Sequence, residues 1–183
     1  SWVHMGDWDK ATSKAKDLVR AAVGKAIFAK QLYRQKVEVN KSAMIVGGGI
    51  AGITAALQIA DMGFKAYLVE RTGELGGNAL KLNTALSGKS YADYIQEKIN
   101  RLKNHENVEI FMNAKVKELD GYVGKYQTTL ETGEGDREIS HGVVIVATGA
   151  GERKPDEYLY GSNKSVMTQM ELEEALKNEQ VDL

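Results

Sequence analysis

The chain has 183 residues, a formal net charge of −1 and no cysteine. The near-neutral charge gives no overall field that would attract nucleic acid or an anionic membrane, and no apolar run approaches the roughly 18–20 residues that span a bilayer. Without thiols, the chain itself has no disulfides, thiolate metal sites, iron–sulfur ligands or cysteine nucleophiles.

The N-terminal region predicts a helix and no targeting signal. SWVHMGDWDK lacks the basic start and apolar middle of a signal peptide, so a cytoplasmic location is expected. Residues 10–36 carry apolar side chains at helical spacing without proline, which predicts a long helix. Its charged side chains are basic, apart from Asp17. A docking surface for an acidic partner is one interpretation; we favour a solvated face on a helix packed by its other side.

Residues 41–113 alternate between short apolar strands and helices. The pattern predicts, in chain order, a strand at 42–47, a helix to about residue 62, a strand at 65–70, a helix from 90 to about 104 and a strand at 108–113. Gly63 suits the end of the first of these helices. Ser90, with Asp93 three residues on, predicts a capping box at the start of the second.

The pattern changes after residue 113. AKVKELDGYVGKYQTTLETGEGDREISHG alternates in short runs broken by glycines, which predicts an antiparallel meander. HGVVIVATGA then returns to a buried apolar strand, and Thr168 with Glu171 predicts the capping box of a helix at 168–178. The predicted fold is therefore α/β, a parallel sheet plus a small antiparallel meander, preceded by a long N-terminal helix. We expect a helical extension at 1–40 and a main domain at 41–183.

A glycine-rich turn follows the first strand. Gly47, Gly49 and Gly52 form the pattern G-x-G-x-x-G between a β-branched strand and a helix, the setting in which the pattern indicates a dinucleotide site. Gly47 allows a sharp turn, Gly49 lets a pyrophosphate approach the backbone, and Gly52 allows close packing of the helix on the sheet. The first helical turn, including Ile50 and Ala51, presents free N–H groups and a positive dipole end to the phosphates.

An acid stands at the end of the second strand. Glu70 is placed where a carboxylate accepts both ribose hydroxyls, and its charge would repel the 2′-phosphate of NADP. Arg71 beside it would offset part of that repulsion. A glycine-rich turn with no ligand is the alternative, and we favour the dinucleotide site because strand, glycines, helix and acid are all in register.

Two further stretches distinguish FAD from NAD. ERTGELGGNA places Gly76, Gly77 and Asn78 a few residues after the acid, and VVIVATGA ends a buried strand in Thr148 and Gly149. Both stretches resemble the flavoprotein superfamily that includes glutathione reductase. The resemblance implies a three-layer, Rossmann-like FAD/NAD(P)-binding domain with an inserted meander, which NAD domains of the simple dehydrogenase type lack.

The same resemblance makes FAD the expected cofactor. It implies that the alanine–threonine–glycine strand end passes near the flavin cofactor, and that the backbone around Lys115 and Val116 meets the adenine. An NAD(H)-binding domain is the second interpretation; it shares the first glycines and Glu70 but leaves the second glycine pair without a role.

Over nearly its whole length the chain closely resembles the A subunits of heterodisulfide reductases and related anaerobic flavoproteins. The narrower signature is the stretch containing PDEYLYG and TQMELEE. The resemblance implies a FAD-containing core that passes electrons between a carrier and iron–sulfur clusters. The iron–sulfur ligands of that family are cysteines, so the clusters are expected in partner subunits or domains outside this chain. A homodimer is left open.

The resulting expectation is the FAD-binding part of an electron-transferring, flavin-dependent oxidoreductase. The chain resembles a fragment of a longer protein, and turnover by the fragment alone is not expected. No residue is predicted to be a catalytic acid or base, and the three histidines are too scattered to predict a metal site. A docking scaffold that uses the basic helix and binds no cofactor is the remaining alternative.

Overall fold

The computed structural model of the chain describes residues 4–31, 33, 36–83 and 90–178. The chain divides into two compact units, Ser1–Val37 and Glu38–Leu183. Among the residues that the structure describes, none of the helices is long and apolar enough to cross a lipid bilayer.

The first unit contains helix α1, Trp8–Ile27. The side chain of Asp7 caps it by accepting a hydrogen bond from the Lys10 N–H at 3.0 Å. The helix ends at Phe28, so the prediction of a helix reaching residue 36 is wrong; the predicted positions Leu32, Arg34 and Gln35 lie outside the described residues. No residue of α1 is buried, so packing does not extend the helix, and capping and intrinsic propensity alone determine its length.

The apolar side of α1 is uncovered. Leu18, Val19 and Val23 are each more than half exposed, and Ile27 more so. The favoured interpretation, a helix packed by its apolar side, is therefore wrong for this structure.

The second unit is built on a parallel sheet of four strands. These are β1 (Ala43–Val46), β2 (Ala66–Val69), β3 (Val108–Phe111) and β7 (Val143–Val146), in the spatial order β3-β2-β1-β7. Ala43 pairs with Ala66 on one side and with Val143 on the other, so β1 is central. The strands are rich in β-branched and aliphatic residues, as expected for a sheet covered on both faces.

Two helices cover one face of this sheet. Helix α2 (Ile50–Asp61) follows β1, and α3 (Tyr91–Lys103) connects β2 to β3. A buried apolar cluster joins them to the sheet, including Ile45, Ile53, Leu57, Leu68, Ile95 and Leu102. Gly63, with a φ of +83°, follows the end of α2. Ser90 caps α3 by accepting from the Asp93 N–H, which is the Ser90 half of the predicted capping box.

The other face of the sheet packs against the antiparallel meander. Its strands are β4 (Lys115–Tyr122), β5 (Lys125–Thr132) and β6 (Gly135–His141), in sequence order. Met44 and Val69 of the parallel sheet share a second buried cluster with Ala114, Leu130 and Ile139. Helices, parallel sheet and meander form three layers, so the predicted fold class is confirmed.

A fully buried histidine lies where the meander returns to the parallel sheet. His141 ends β6, and its Nδ1 lies 3.0 Å from the carbonyl oxygen of Val143, which can only accept. Nε2 therefore accepts from the Thr128 hydroxyl at 2.7 Å, and the ring of Tyr126 stacks on the imidazole. Burial lowers the pKa of His141, although its bond to the Val143 carbonyl opposes that shift.

The last described element is helix α4, Gln169–Lys177. Thr168 accepts from the Glu171 N–H, and the Glu171 carboxylate accepts from the Thr168 N–H at 2.9 Å. The capping box predicted at this helix is therefore confirmed.

Candidate functional site

Two of the three motif glycines are required by the packing of the protein itself. Gly47 has a φ of +113°, and a Cβ on it would lie 2.3 Å from the carbonyl oxygen of Ala147. A Cβ on Gly52 would lie 1.8 Å from the carbonyl oxygen of Gly47. Contacts this short are excluded, so both positions need glycine for the turn between β1 and α2 to form.

Gly49 differs from both of them. Its backbone is extended, with φ −76° and ψ −178°, and a Cβ there would meet no heavy atom of the described residues within 4 Å. Gly49 is also the N-cap of α2 and provides no capping side chain. The N–H groups of the first turn of a helix have no partner within it. The open space at Gly49 therefore lies at the positive end of the helix dipole, where an anion is favoured.

The carboxylate of Glu70 is held by three hydrogen bonds. Oε2 accepts from the Gly48 N–H at 2.6 Å, and Oε1 accepts from the Thr72 N–H at 2.9 Å and the Thr72 hydroxyl at 2.8 Å. Burial raises the pKa of Glu70, but these bonds and the charge of Arg71 outweigh it, so the pKa is lowered overall. Glu70 is therefore a fixed anion beside the glycine-rich turn.

A pocket of about 240 Å³ opens next to Glu70. Its floor is apolar, from Val46, Val69 and Ala114. Six predicted site residues also line it: Gly47, Glu70, Arg71, Lys115, Val116 and Thr148. Complete small-molecule pockets usually measure about 300–1,000 Å³, so this space suits one part of a dinucleotide, a flat heterocycle with its ribose.

The second glycine pair lies directly against the first turn. The Gly76 N–H donates to the Gly48 carbonyl at 2.8 Å, and Gly76 pairs with Gly49 in a parallel bridge. Gly76 and Gly77 both have positive φ, and a Cβ on Gly77 would lie 3.3 Å from the Gly49 Cα. A short 3-10 helix, Gly77–Leu80, starts here.

The remaining predicted residues lie at the edges of this arrangement. The Asn78 amide donates to the Ala150 carbonyl at 3.3 Å, which joins the second glycine turn to the chain leaving β7. Thr148 lines the pocket, whereas Gly149 follows it with a φ of +66°. Ile50 and Ala51 form the start of α2.

Sequence reasoning missed two residues that hold Glu70 in place. Gly48, the middle of three consecutive glycines, donates to the carboxylate, and a Cβ on it would lie 2.6 Å from the Leu75 side chain. Thr72 supplies the other two hydrogen bonds. The run GGG was the visible signal for Gly48; a hydroxyl residue two positions after the acid is a weaker one.

The tyrosines of the PDEYLYG stretch do not line the pocket. The side chain of Tyr158 is 84% exposed, so a packing role for it is wrong. Tyr160 donates to the Glu171 carboxylate at 2.6 Å. This bond, with the Thr168 N–H and Lys154, lowers the pKa of Glu171 to about 2. Within the described ranges there is no group of three or more acidic or histidine side chains that could hold a metal ion.

Known proteins with similar sequences have related names. The family described as "Pyridine nucleotide-disulphide oxidoreductase" matches residues 41–182. The first of two iron-sulfur A subunits of the CoB–CoM heterodisulfide reductase of Methanopyrus kandleri is 46% identical over 132 residues, which are 72% of this chain and 20% of that protein. The A subunit of the H(2):CoB-CoM heterodisulfide,ferredoxin reductase of Methanothermobacter thermautotrophicus is 43% identical over the same shares.

The structural comparison gives the same fold. The crystal structure of L-proline dehydrogenase from P. horikoshii matches with a TM-score of 0.53 and 25% identity, covering 65% of this chain and 25% of that one. An oxidoreductase from Agrobacterium tumefaciens matches with a TM-score of 0.50 at 22% identity, covering 66% of this chain and 39% of that one, a likeness of fold alone.

The chain spans about one fifth of the length of the two heterodisulfide reductase proteins it matches. The family match nevertheless covers well over half of this chain, including both glycine turns, Glu70 and the end of β7. The chain therefore belongs to the pyridine nucleotide-disulphide oxidoreductase family, and among its relatives in sequence are the A subunits of heterodisulfide reductases.

Proposed function

We propose that this chain binds FAD, with the adenosine end in the pocket beside Glu70 and the pyrophosphate over Gly49. The observation that carries the proposal is the empty volume around Gly49. This glycine is required neither by its backbone angles nor by its neighbours, yet it faces the positive end of α2. A position that the fold leaves open at a helix N-terminus suits a phosphate that must approach the backbone.

The other residues would bind and orient the cofactor. The Glu70 carboxylate, already fixed by Gly48 and Thr72, would accept hydrogen bonds from the ribose hydroxyls. Lys115 and Val116 would cover the adenine from the start of β4. Arg71 lies at the same pocket and would offset part of the negative charge of the phosphates.

FAD is proposed rather than NAD because the second glycine turn is packed against the first. Gly76, Gly77 and Asn78 extend the surface around Gly49 toward Thr148 and Gly149, along the direction in which the flavin half of the molecule would extend. Bound flavin supplies hydride and single-electron chemistry, while the protein supplies binding and electrostatics.

For the whole protein we propose an electron-transferring oxidoreductase of the heterodisulfide reductase A type. The names of the relatives include the words "iron-sulfur" and "ferredoxin reductase". The iron–sulfur clusters would belong to partner subunits or to other parts of a longer protein, because this chain has no cysteine. We expect the isolated chain to bind cofactor without turnover.

A visible absorption spectrum tests the proposal. Purified protein is incubated with excess FAD, and a second sample with NAD⁺, and both are then passed over a desalting column. Retention of a flavin spectrum at close to one FAD per chain, with no retained NAD⁺, is the expected result. Protein that retains neither molecule, and that shows no FAD binding by titration calorimetry, would contradict the proposal and favour the scaffold interpretation.

A further inference from the structure

Helix α4 reaches the second glycine turn through polar contacts. No residue of α4 is fully buried, so apolar packing contributes little to its position. The Glu173 carboxylate accepts from the Asn83 N–H at 3.0 Å, and the Glu173 backbone carbonyl accepts from the Asn83 side-chain amide at 3.2 Å. A single residue of α4 thus binds both the backbone and the side chain of Asn83.

The helix that carries Glu173 is itself anchored near the proposed site. Glu152, four residues after Thr148 in the chain, accepts from the Met170 N–H at 2.9 Å and from the Thr168 hydroxyl at 2.5 Å. The Gln169 side chain, one turn before Glu173, donates to its other carboxylate oxygen at 3.3 Å. These contacts account for the TQMELEE stretch: it caps α4, orients Glu173 and ties the helix to the chain leaving β7.

Asn83 connects these contacts to the glycines. It lies three residues after the 3-10 helix that begins at Gly77, and its carbonyl accepts from the Tyr91 N–H at 3.1 Å, at the start of α3. At its other end the 3-10 helix is held by Gly76, whose N–H donates to the Gly48 carbonyl. A continuous chain of hydrogen bonds and short backbone segments therefore runs from α4 to Gly48.

We infer that Glu173 is a positioning residue for the Gly76–Gly77 turn, and that α4 and the dinucleotide site are energetically coupled through Asn83. The inference rests on the proposed function for its ligand, but the Glu173–Asn83 contact is independent of which ligand binds. Gly77 packs so closely on Gly49 that a shift of the second turn changes the shape of the first. Losing the Glu173 contact removes this link between the 3-10 helix and α4.

The coupling is reciprocal, because two sites that affect each other do so by the same free energy. A dinucleotide that orders Gly76 and Gly77 will also order α4. A partner that binds and orders α4 will in turn raise the affinity of the site for its dinucleotide.

Three variants of the full chain test the inference. Glu173→Ala removes the carboxylate, Glu173→Gln retains an acceptor oxygen for the Asn83 N–H, and Glu174→Ala is the matched control at the exposed neighbouring position. Hydrogen–deuterium exchange of a peptide covering 76–83 is measured without cofactor, and the Kd for FAD is measured by titration. We expect Glu173→Ala to raise exchange in this peptide and weaken FAD binding about three- to ten-fold, a range typical of coupling through a packed network. Glu173→Gln should fall between wild type and Glu173→Ala.

The two readouts separate the inference from the proposed function. If wild type binds no FAD, the proposed function fails, and exchange at 76–83 still decides the inference. Unchanged exchange and unchanged FAD affinity in Glu173→Ala would overturn it, as would equal effects in Glu174→Ala. A lower melting temperature in Glu173→Ala with no change at 76–83 would assign Glu173 a purely structural role at α4, and the inference would also fail.

Discussion

The two glycines Gly49 and Gly52 should respond in opposite ways to substitution. Gly49→Thr places a side chain in the open space at the start of α2, where no atom of the described residues lies within 4 Å. Threonine is about as good an N-cap as glycine, and φ −76° with ψ −178° is allowed for it. We therefore expect the free energy of unfolding to change by less than about 0.5 kcal/mol, as at most surface positions.

Binding of FAD should be lost in the same variant. The side chain would occupy the space proposed for the pyrophosphate and remove its approach to the first-turn N–H groups. Each hydrogen bond to a charged group contributes about 1.5–3 kcal/mol. Losing two of them would raise the Kd at least a hundredfold, at about 1.4 kcal/mol per tenfold.

Gly52→Ala should do the reverse. Its Cβ would lie 1.8 Å from the Gly47 carbonyl oxygen, so the turn or the helix must move by more than an ångström. Overpacking of this kind costs about 1–3 kcal/mol, which lowers the melting temperature by about 2–4 °C per kcal/mol in a chain of this size.

Thermal unfolding by circular dichroism and FAD titration calorimetry measure the two effects separately. The reasoning is refuted if Gly49→Thr binds FAD within threefold of wild type, or if Gly52→Ala melts at the temperature of wild type. Gly63→Ala, which strains a positive φ far from the site without a steric contact, serves as the control for a general backbone effect.

Three further predictions concern stability. Because the pKa of Glu70 is lowered in the folded state, its contribution is present above about pH 4.5 and is lost as the pH falls through the folded value; acid titrations followed by circular dichroism should show a smaller loss in this range for Glu70→Gln, and equal curves would contradict it. Because His141 is buried and neutral, the unfolded chain takes up a proton near pH 6.5 before the folded chain does; the urea midpoint should therefore fall between pH 7 and 5.5, less so in His141→Gln. Val23→Asp, at an exposed position of α1, should leave the urea midpoint of the main unit within error; a large decrease would show that the face is covered in solution.

The sequence predicted the order of the elements because each one carries a local signal. The β-branched runs, Gly63 and the Thr168–Glu171 box all act within a few residues of their own position. Helix α1 was predicted too long for the same reason: apolar periodicity continues past Phe28, but no residue of the helix is buried by packing that would extend it.

The site was predictable only in part. The glycines and Glu70 follow from spacing around one turn. The donors that orient Glu70 include Gly48, 22 residues away, and the Asn83–Glu173 contact joins residues 90 positions apart. Such pairs depend on how the layers meet, and a single sequence carries no local pattern for them.

The three glycines of the first turn are kept for two different reasons, and natural variation would separate them. A descendant chain selected only to fold would have to retain Gly47 and Gly52, because carbonyl oxygens occupy the positions of their missing Cβ atoms. It would be free to change Gly49, whose missing Cβ would touch nothing in the described part of the protein. Loss of the middle position alone, among otherwise intact motifs, would thus mark relatives that have stopped binding a dinucleotide while retaining its scaffold.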